Sequence, residues 1–457
     1  MLKEVHLGVD DTDSHDGMCT TFLATLIVDL LIKHSVKFLD FPKLIRLNPN
    51  IPYKTRGNGA VSISFITTTE NIDKIWNQSK ELVIKYSDVA AINTDPGFVM
   101  LIGKPSPSLR KLYRDALYQV IKIENVKKLL SSNFPGKSFH IKKGRGLIGA
   151  CAAIGADIWN DFTYEFIAYR NPNKKSSKRL IDVESVIIAD KLNPLSFNNY
   201  DYENSELMIT PHGPDPVYIG IRGDTPHSVL QMWKQITINE EINSVMLFRS
   251  NQHTQPHFPK EISGKSLQPY TSVKVQGIVE KEPYIIPGGH VLFSIISDEE
   301  IVNCAAYEPT KKFRKIVREL RKGDELLVFG GVRPPSEKYE ITVNLEQLIV
   351  LHLRNKLQRI TLKCPYCNTA LKSQGKNQGL VCKKCDFTTN EKDLIFQIEK
   401  RRIRTNIRYI IPVCAQRHLT KPHLRENNMK SHLSSEIEFS EDFKIFLKQR
   451  KQLTDHS

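Results

Sequence analysis

Apolar and polar positions change period several times along the chain, and each change marks an element. Val5, Leu7 and Val9 open a short strand-like run over residues 5–10, followed by a polar loop over 11–19. Phe22, Leu23, Leu26, Ile27, Leu30 and Leu31 recur at steps of one and three, which keeps one helical face apolar. A second strand near 44–47 leads into the basic glycine loop Lys54-Thr55-Arg56-Gly57-Asn58-Gly59, after which Val61, Ile63 and Phe65 alternate as in a half-buried strand. Helices are predicted over 72–86 and 109–120. The pattern predicts an α/β or α+β domain over residues 1–140.

A second α/β unit is predicted over 141–255. Residues 146–156 are rich in Gly and Ala, as suits a helix start packed closely on a sheet, while 217–221 read as strand and 228–236 as helix after Thr225-Pro226. Residues 251–269, with three prolines and two histidines, read as a linker. Over 270–352 the order is three strands (272–280, 291–297, 304–307), a helix (311–321) and two strands (326–331, 341–349). That is the order of a small oligonucleotide/oligosaccharide-binding (OB) barrel. The remainder divides into a cysteine-bearing segment, 360–395, and a basic C-terminal extension, 396–457.

Composition narrows the class. The chain has 457 residues, 40% apolar and 25% charged, a globular mix that excludes a disordered or fibrous protein. The best candidate for a membrane span, residues 22–32, is interrupted by Asp29, and the strand-like start leaves no room for a signal peptide. The eight cysteines are clustered rather than spread as a disulfide framework, so the expectation is a soluble, cytoplasmic, multidomain protein. The net charge is +15, and residues 356–425 alone carry 16 Lys or Arg against 4 Asp or Glu, a surplus of 12. A basic lobe of this kind is the footprint of a polyanion-binding surface, although a solvated basic face has the same composition.

Four motifs carry chemistry. Cys364-Pro-Tyr-Cys367 and Cys382-Lys-Lys-Cys385 offer four thiolates at the spacing of a closed, structural zinc site, against the rival reading of redox pairs. Lys383 and Lys384, inside the second knuckle, would be held outward to grip nucleic-acid backbone. Gly8-Val9-Asp10-Asp11-Thr12-Asp13-Ser14 and Gly17-Met18-Cys19-Thr20-Thr21 bring three acids from a strand end to the start of a helix. Carboxylates there suit Mg²⁺, and the helix N-terminus suits a polyphosphate, with Thr20 placed to attack or accept a phosphoryl group. Ordinary turn and helix capping is the bland alternative. Lys142, Lys143, Gly144, Arg145 and Gly146 form a weaker candidate for a phosphate-binding loop, here ATP. Asp215, after His212-Gly-Pro, and Arg222 with Asp224 flank one short strand that suits a cationic small molecule, or are plain turns.

Gly8-Val9-Asp10-Asp11-Thr12-Asp13-Ser14 with Gly17-Met18-Cys19-Thr20-Thr21 resembles the N-terminal signature of the archaeal isoleucine-tRNA 2-agmatinylcytidine synthetases. Lys142 to Ala150, Gly220-Ile221-Arg222-Gly223, the barrel and the zinc ribbon follow in that family's order, so the resemblance covers nearly the whole chain. It implies a multidomain α+β fold made of a kinase-like domain, a ferredoxin-like domain, an OB barrel and a zinc ribbon. It also implies a ligase that uses ATP and Mg²⁺ to join agmatine to carbon 2 of the wobble cytidine in the minor isoleucine tRNA with anticodon CAU, through phosphate activation of the base, which lets that tRNA read AUA. The family's autophosphorylated threonine corresponds to Thr20 and its acidic cluster to Asp10, Asp11 and Asp13. His15-Asp16 and the residues after about 430 match nothing in it. Two other readings stay open on the residues alone: a non-enzymatic single-strand-binding protein, and an ATP-dependent enzyme acting on another RNA or amine.

Overall fold

The computed structural model describes residues 1–455 except 56, 175–176, 259–260, 356, 360–361, 376–377, 391–395, 399 and 427–435. The first half runs β1 (Leu2–Asp10), α1 (Thr20–Lys33), β2 (Lys37–Phe38), β3 (Lys43–Arg46), β4 (Gly59–Thr68), α2 (Thr69–Tyr86), β5 (Gly97–Ile102), α3 (Pro107–Ala116), α4 (Ile123–Ser131) and β6 (Gly136–His140). Then follow α5 (Gly146–Ile154), β7 (Thr163–Tyr169), α6 (Val183–Leu192), β8 (Tyr200–Asp201), β9 (Glu206–Leu207), β10 (Val217–Gly223), α7 (Pro226–Gln235) and β11 (Ser244–Ser250).

Apart from the small β8–β9 hairpin, these strands make one sheet in the order β10-β7-β11-β3-β4-β1-β5-β6, with β2 beside β4. The sequence pattern suggests two separate units meeting near residue 140, but the sheet passes from one to the other without a break. The join is the parallel pairing of β11 with β3, Arg249 opposite Lys43 and Ser250 opposite Leu44. Arg249 anchors it: its side chain is buried, its Nε donates to Asp40 at 3.1 Å, and its guanidinium lies 4.0 Å from the centre of the Phe439 ring.

The alternation in β4 predicts a half-buried strand. β4 is instead central, with α1, α2 and α5 packed on it, so Ser62 and Ser64 are buried together with Val61, Ile63 and Phe65. α5 lies backbone to backbone on β1 and β5. A Cβ at Gly97 would stand 2.1 Å from the Leu147 nitrogen, and one at Gly8 would stand 2.3 Å from the Ala150 oxygen. Only glycine admits a helix this close to a sheet.

The expected linker, 251–269, is largely ordered by polar contacts. Asn251 pairs with both backbone groups of Arg46, at 2.8 and 2.9 Å, and Asn251, Gln252, His253 and His257 are buried. The barrel that follows comprises β12 (Ser272–Ile286), β13 (His290–Ser297), β14 (Glu300–Ala306), α8 (Phe313–Val317), β15 (Glu325–Arg333) and β16 (Thr342–His352). The strands pair as β14-β13-β12-β15-β16, and a parallel β14–β16 pairing closes the ring, which is the connectivity of an OB barrel. α8 is shorter than the predicted 311–321 because a 3₁₀ turn, Glu308–Thr310, precedes it and Lys311 takes φ 46°.

β17 (Leu357–Arg359) pairs with β21 (Phe396–Ile398) around a hairpin of β18 (Lys372–Ser373), β19 (Leu380–Val381) and β20 (Thr388–Thr389) that carries the cysteines. The chain then returns to the body. β22 (Arg408–Ile410) adds to β16, and α9 (Glu436–Thr454) seats Phe443 against Phe38 and Phe41, ring centres 5.1 and 5.2 Å apart. No helix of the described residues is long and apolar enough to cross a membrane.

Candidate active site

β1 ends at Asp10, and the backbone turns at once, because Asp11 takes φ 57° and Met18 takes φ 58°. Such left-handed conformations cost non-glycine residues roughly 1–3 kcal/mol each and cluster at functional sites. Between them, His15 and Asp16 form the exposed tip of a turn closed by the Ser14 N–H on the Gly17 carbonyl at 3.0 Å. α1 then begins at Thr20. Cys19 holds the cap position, no side chain caps the helix, and its first turn carries no acid. The Thr20 hydroxyl lies 3.0 Å from that of Thr12, and both threonines are buried. Thr20 is therefore inside the helix, and the capping role open to it in the sequence is not the one it plays.

The acids differ in their surroundings. Gly149 of α5 lies against Asp10, so closely that a Cβ there would meet Asp10 Oδ2 at 1.9 Å. Burial, and then the charge of Asp11, hold the Asp10 carboxyl well above the usual range. Asp11 is raised to about 6 by burial, against the opposing pull of Arg145, whose Nη2 donates to it at 2.9 Å. Asp13 uses its backbone carbonyl to fix Thr94, 2.7 Å from the threonine hydroxyl.

The loop of Lys142, Lys143, Gly144, Arg145 and Gly146 stands beside these acids, but both of its glycine amides and one of its lysines are already engaged. Gly144 N–H donates to Asp95 Oδ1 at 2.5 Å and Gly146 N–H to the Asp95 carbonyl at 2.9 Å, while Lys142 reaches the Ala91 carbonyl at 2.5 Å. The cations left facing the cavity are Lys143 and Arg145, and the Arg145 guanidinium lies 5.1 Å from the Tyr53 ring centre.

All this lines one cavity of about 870 Å³ that also receives β7, β10 and the segment after β22. Asp10, Asp11, Asp13, Thr20, Lys143 and Arg145 line it together with Asp215 and Arg222. Asp215 is buried and accepts the Val217 N–H at 3.0 Å and Arg179 at 3.4 Å. Asp224 does not join them. It turns away at the end of β10 and is held by the buried Arg425 at 2.7 Å, so its carboxylate belongs to the packing of the C-terminal extension.

The cavity contains residues that sequence reasoning does not single out. Glu165 of β7 accepts from Arg46 at 3.2 Å and faces Arg222 at 3.7 Å. Cys414 and His418, from the chain beyond the ribbon, complete the wall. These residues come from strands and segments joined only by sheet register, and no local spacing announces them. Arg56, in the basic glycine loop, lies outside the described residues.

The four cysteines form a compact group. Cys364 to Cys385 and Cys367 to Cys382 are both 3.3 Å apart between sulfurs, and all four lie within 4.8 Å of one another. A Zn–S length of about 2.3 Å requires sulfurs about 3.8 Å apart in a tetrahedron, so the donor set fits zinc. Among the described residues no other three or more His, Cys, Asp or Glu ligand atoms gather so closely. Lys383 and Lys384 are exposed beside them.

Known proteins resemble this chain over most of its length. Family models described as the TiaS TCKD domain, the TiaS FLD domain and the TiaS C-terminal zinc ribbon domain match residues 6–141, 144–257 and 362–403. The isoleucine-tRNA 2-agmatinylcytidine synthetase TiaS of Archaeoglobus fulgidus is 37% identical over 430 residues, 94% of this chain and 99% of that one. A crystal structure of apo TiaS, an agmatidine synthetase of isoleucine tRNA, superposes with a TM-score of 0.82 at 36% identity, over 93% of this chain and 98% of the other. One of TiaS in complex with its isoleucine tRNA, AMPCPP and agmatine gives 0.77 at 34%, over 94% and 99%. With 37% identity to the Archaeoglobus fulgidus synthetase over 94% of its length, and three TiaS domain models matched in succession, the chain belongs to the TiaS family of isoleucine-tRNA 2-agmatinylcytidine synthetases.

Proposed function

We propose that this protein joins agmatine to carbon 2 of the wobble cytidine of the minor isoleucine tRNA, consuming ATP. The observation that carries the reading at the site is the shared cavity: Thr20, Asp10 at the end of β1 and Asp11 and Asp13 just after it line the same space as Glu165 of β7 and Asp215, which precedes β10. The chemistry requires such a pairing. The C2 oxygen of cytosine is a poor leaving group, and phosphorylation converts it to phosphate. The amine then forms a C2–N bond as the C2–O bond breaks. Positioning and neutralisation of charge dominate such transfers.

Within this reading Thr20 takes the phosphoryl group from ATP at the start of α1, where free amides and the helix dipole favour an anion, and yields it to the C2 oxygen, which restores the hydroxyl. Lys143 and Arg145 hold ATP phosphates as side-chain donors. Asp10 and Asp11 fit Mg²⁺, since two crowded carboxylates raised by burial regain their charge beside a cation; bound there, it would neutralise phosphate charge. Asp215 faces the cationic amine, and Arg222 fixes Glu165 beside it. The kinase-like and ferredoxin-like domains are our reading of residues 1–140 and 141–255. Barrel, ribbon and basic extension serve the tRNA, which implies a cytoplasmic working place. Thr20→Ala tests the reading: product should vanish while tRNA affinity persists.

A further inference from the structure

A smaller pocket of about 240 Å³ opens beside the main cavity, and Arg46, Lys54, Gly57, Asn58 and His418 line both. Its wall adds Arg417 and, among the described residues, has no acid. The neighbouring carboxylates are shared: Glu165 serves Arg46 and Arg222, while Glu346 serves Arg417 at 3.4 Å, His257 at 3.2 Å and Thr420 at 3.2 Å. Two acids thus stand among four cations. Enclosure of the Lys54 ammonium, and then the charge of Arg417, lower its pKa to about 8, against the opposing pull of Glu346. His418 sits where a side chain at Gly57 would be, 2.3 Å from such a Cβ, and burial followed by Arg46 holds it well below the usual histidine value.

We infer that this pocket takes a phosphate of the tRNA backbone next to the wobble nucleotide. The inference rests on the reaction proposed above. The pocket is smaller than the roughly 300 Å³ at which sites for whole small molecules begin. A base drawn out of its stack into the main cavity brings its flanking phosphates to the rim, where cations fix the backbone without reading sequence. The triphosphate has its own cations, Lys143 and Arg145, on a separate loop. Arg417 and His418 come after the ribbon in sequence, so the segment leaving one RNA-binding module completes the grip on the reacting nucleotide.

The test uses the full-length protein carrying Lys54→Gln, with Lys54→Arg and Arg417→Gln alongside. The Lys54 residue is exposed although its ammonium is enclosed and donates to the Pro49 carbonyl, so circular dichroism is read alongside to check that the fold stays in place. Lys54→Gln should weaken tRNA binding about tenfold and flatten the log–log salt slope by about 0.7. The KM for ATP should hold, and Lys54→Arg should restore binding. A raised KM for ATP with unchanged tRNA affinity would give the pocket to the nucleotide and overturn the inference. Inorganic phosphate is the second probe: phosphate binding abolished in Lys54→Gln without any drop in tRNA affinity would assign a free anion and overturn it equally. If the wild type binds tRNA through Lys54 yet yields no agmatinylated base, the pocket stands and the proposed reaction falls.

Discussion

Asp11 shows how one residue's surroundings set a measurable behaviour. Its carboxyl is raised to about 6 from the ordinary 3.8, with burial as the leading cause. The folded state therefore holds the proton more tightly than the unfolded one, and between those two values stability falls as pH rises, by about 3 kcal/mol at most. In Asp11→Asn this slope should become shallower, the remainder belonging to Asp10, whose carboxyl burial also raises; a mutant with the slope unchanged would place the titration elsewhere. Thr20→Ala removes a buried hydroxyl whose contact is with Thr12, worth about 1 kcal/mol. The mutant should fold and bind tRNA yet give no product. Thr20, Asp10, Asp11 and Arg145 are legible in the sequence because the strand end, helix start and loop that carry them are short and local. Glu165 and Arg46 are not, since they meet through the register of β3, β11 and β7, which no spacing encodes.

At the scale of elements, α5 decides whether the acids are in place. Replacing glycine by alanine inside a helix ordinarily gains about 1 kcal/mol. At Gly149 the new Cβ would stand 1.9 Å from Asp10 Oδ2, so the gain is outweighed and either the helix or the carboxylate must shift. Gly149→Ala should abolish ATP consumption, read as phosphate release, while circular dichroism keeps its helical signal. Phe443, fully buried between Phe38, Phe41 and Phe446, seats α9. Phe443→Ala should cost about 3–5 kcal/mol, visible as a lower Tm. The alternation of 61–65 and the Gly/Ala run of 146–156 reveal their elements. β7 and β11 escape a pattern reading because strands buried on both faces appear as apolar runs without a period.

At the scale of the whole molecule, chemistry and grip separate within the proposed reading: nucleotide and base go to the nine-stranded sheet, while the surplus positive charge lies on the ribbon and the segment after it. The four thiolates and one Zn²⁺ contribute −2, so the segment 356–425 stays strongly basic with metal bound. Cys364→Ser should weaken the metal and unfold the hairpin, whose buried core is little more than Cys364, Leu371 and Cys382. For every phosphate the mutant no longer neutralises, the salt dependence of tRNA affinity should flatten by about 0.7–0.9 in log–log slope. Any tRNA-independent ATP hydrolysis should survive. Unchanged affinity and slope in a zinc-free mutant would remove the ribbon from RNA binding. The return of 408–425 to the cavity is not legible in the sequence, because it depends on β22 adding to β16 and on buried ion pairs such as Arg425 with Asp161 and Asp224. The most direct measurement on the central claim is to incubate the protein with ATP, agmatine and the unmodified isoleucine tRNA of anticodon CAU, then weigh the nucleosides. The wobble cytidine should be replaced by its agmatine conjugate, only when all three are present. An unmodified cytidine after full incubation, or a conjugate formed without ATP, would contradict the assignment.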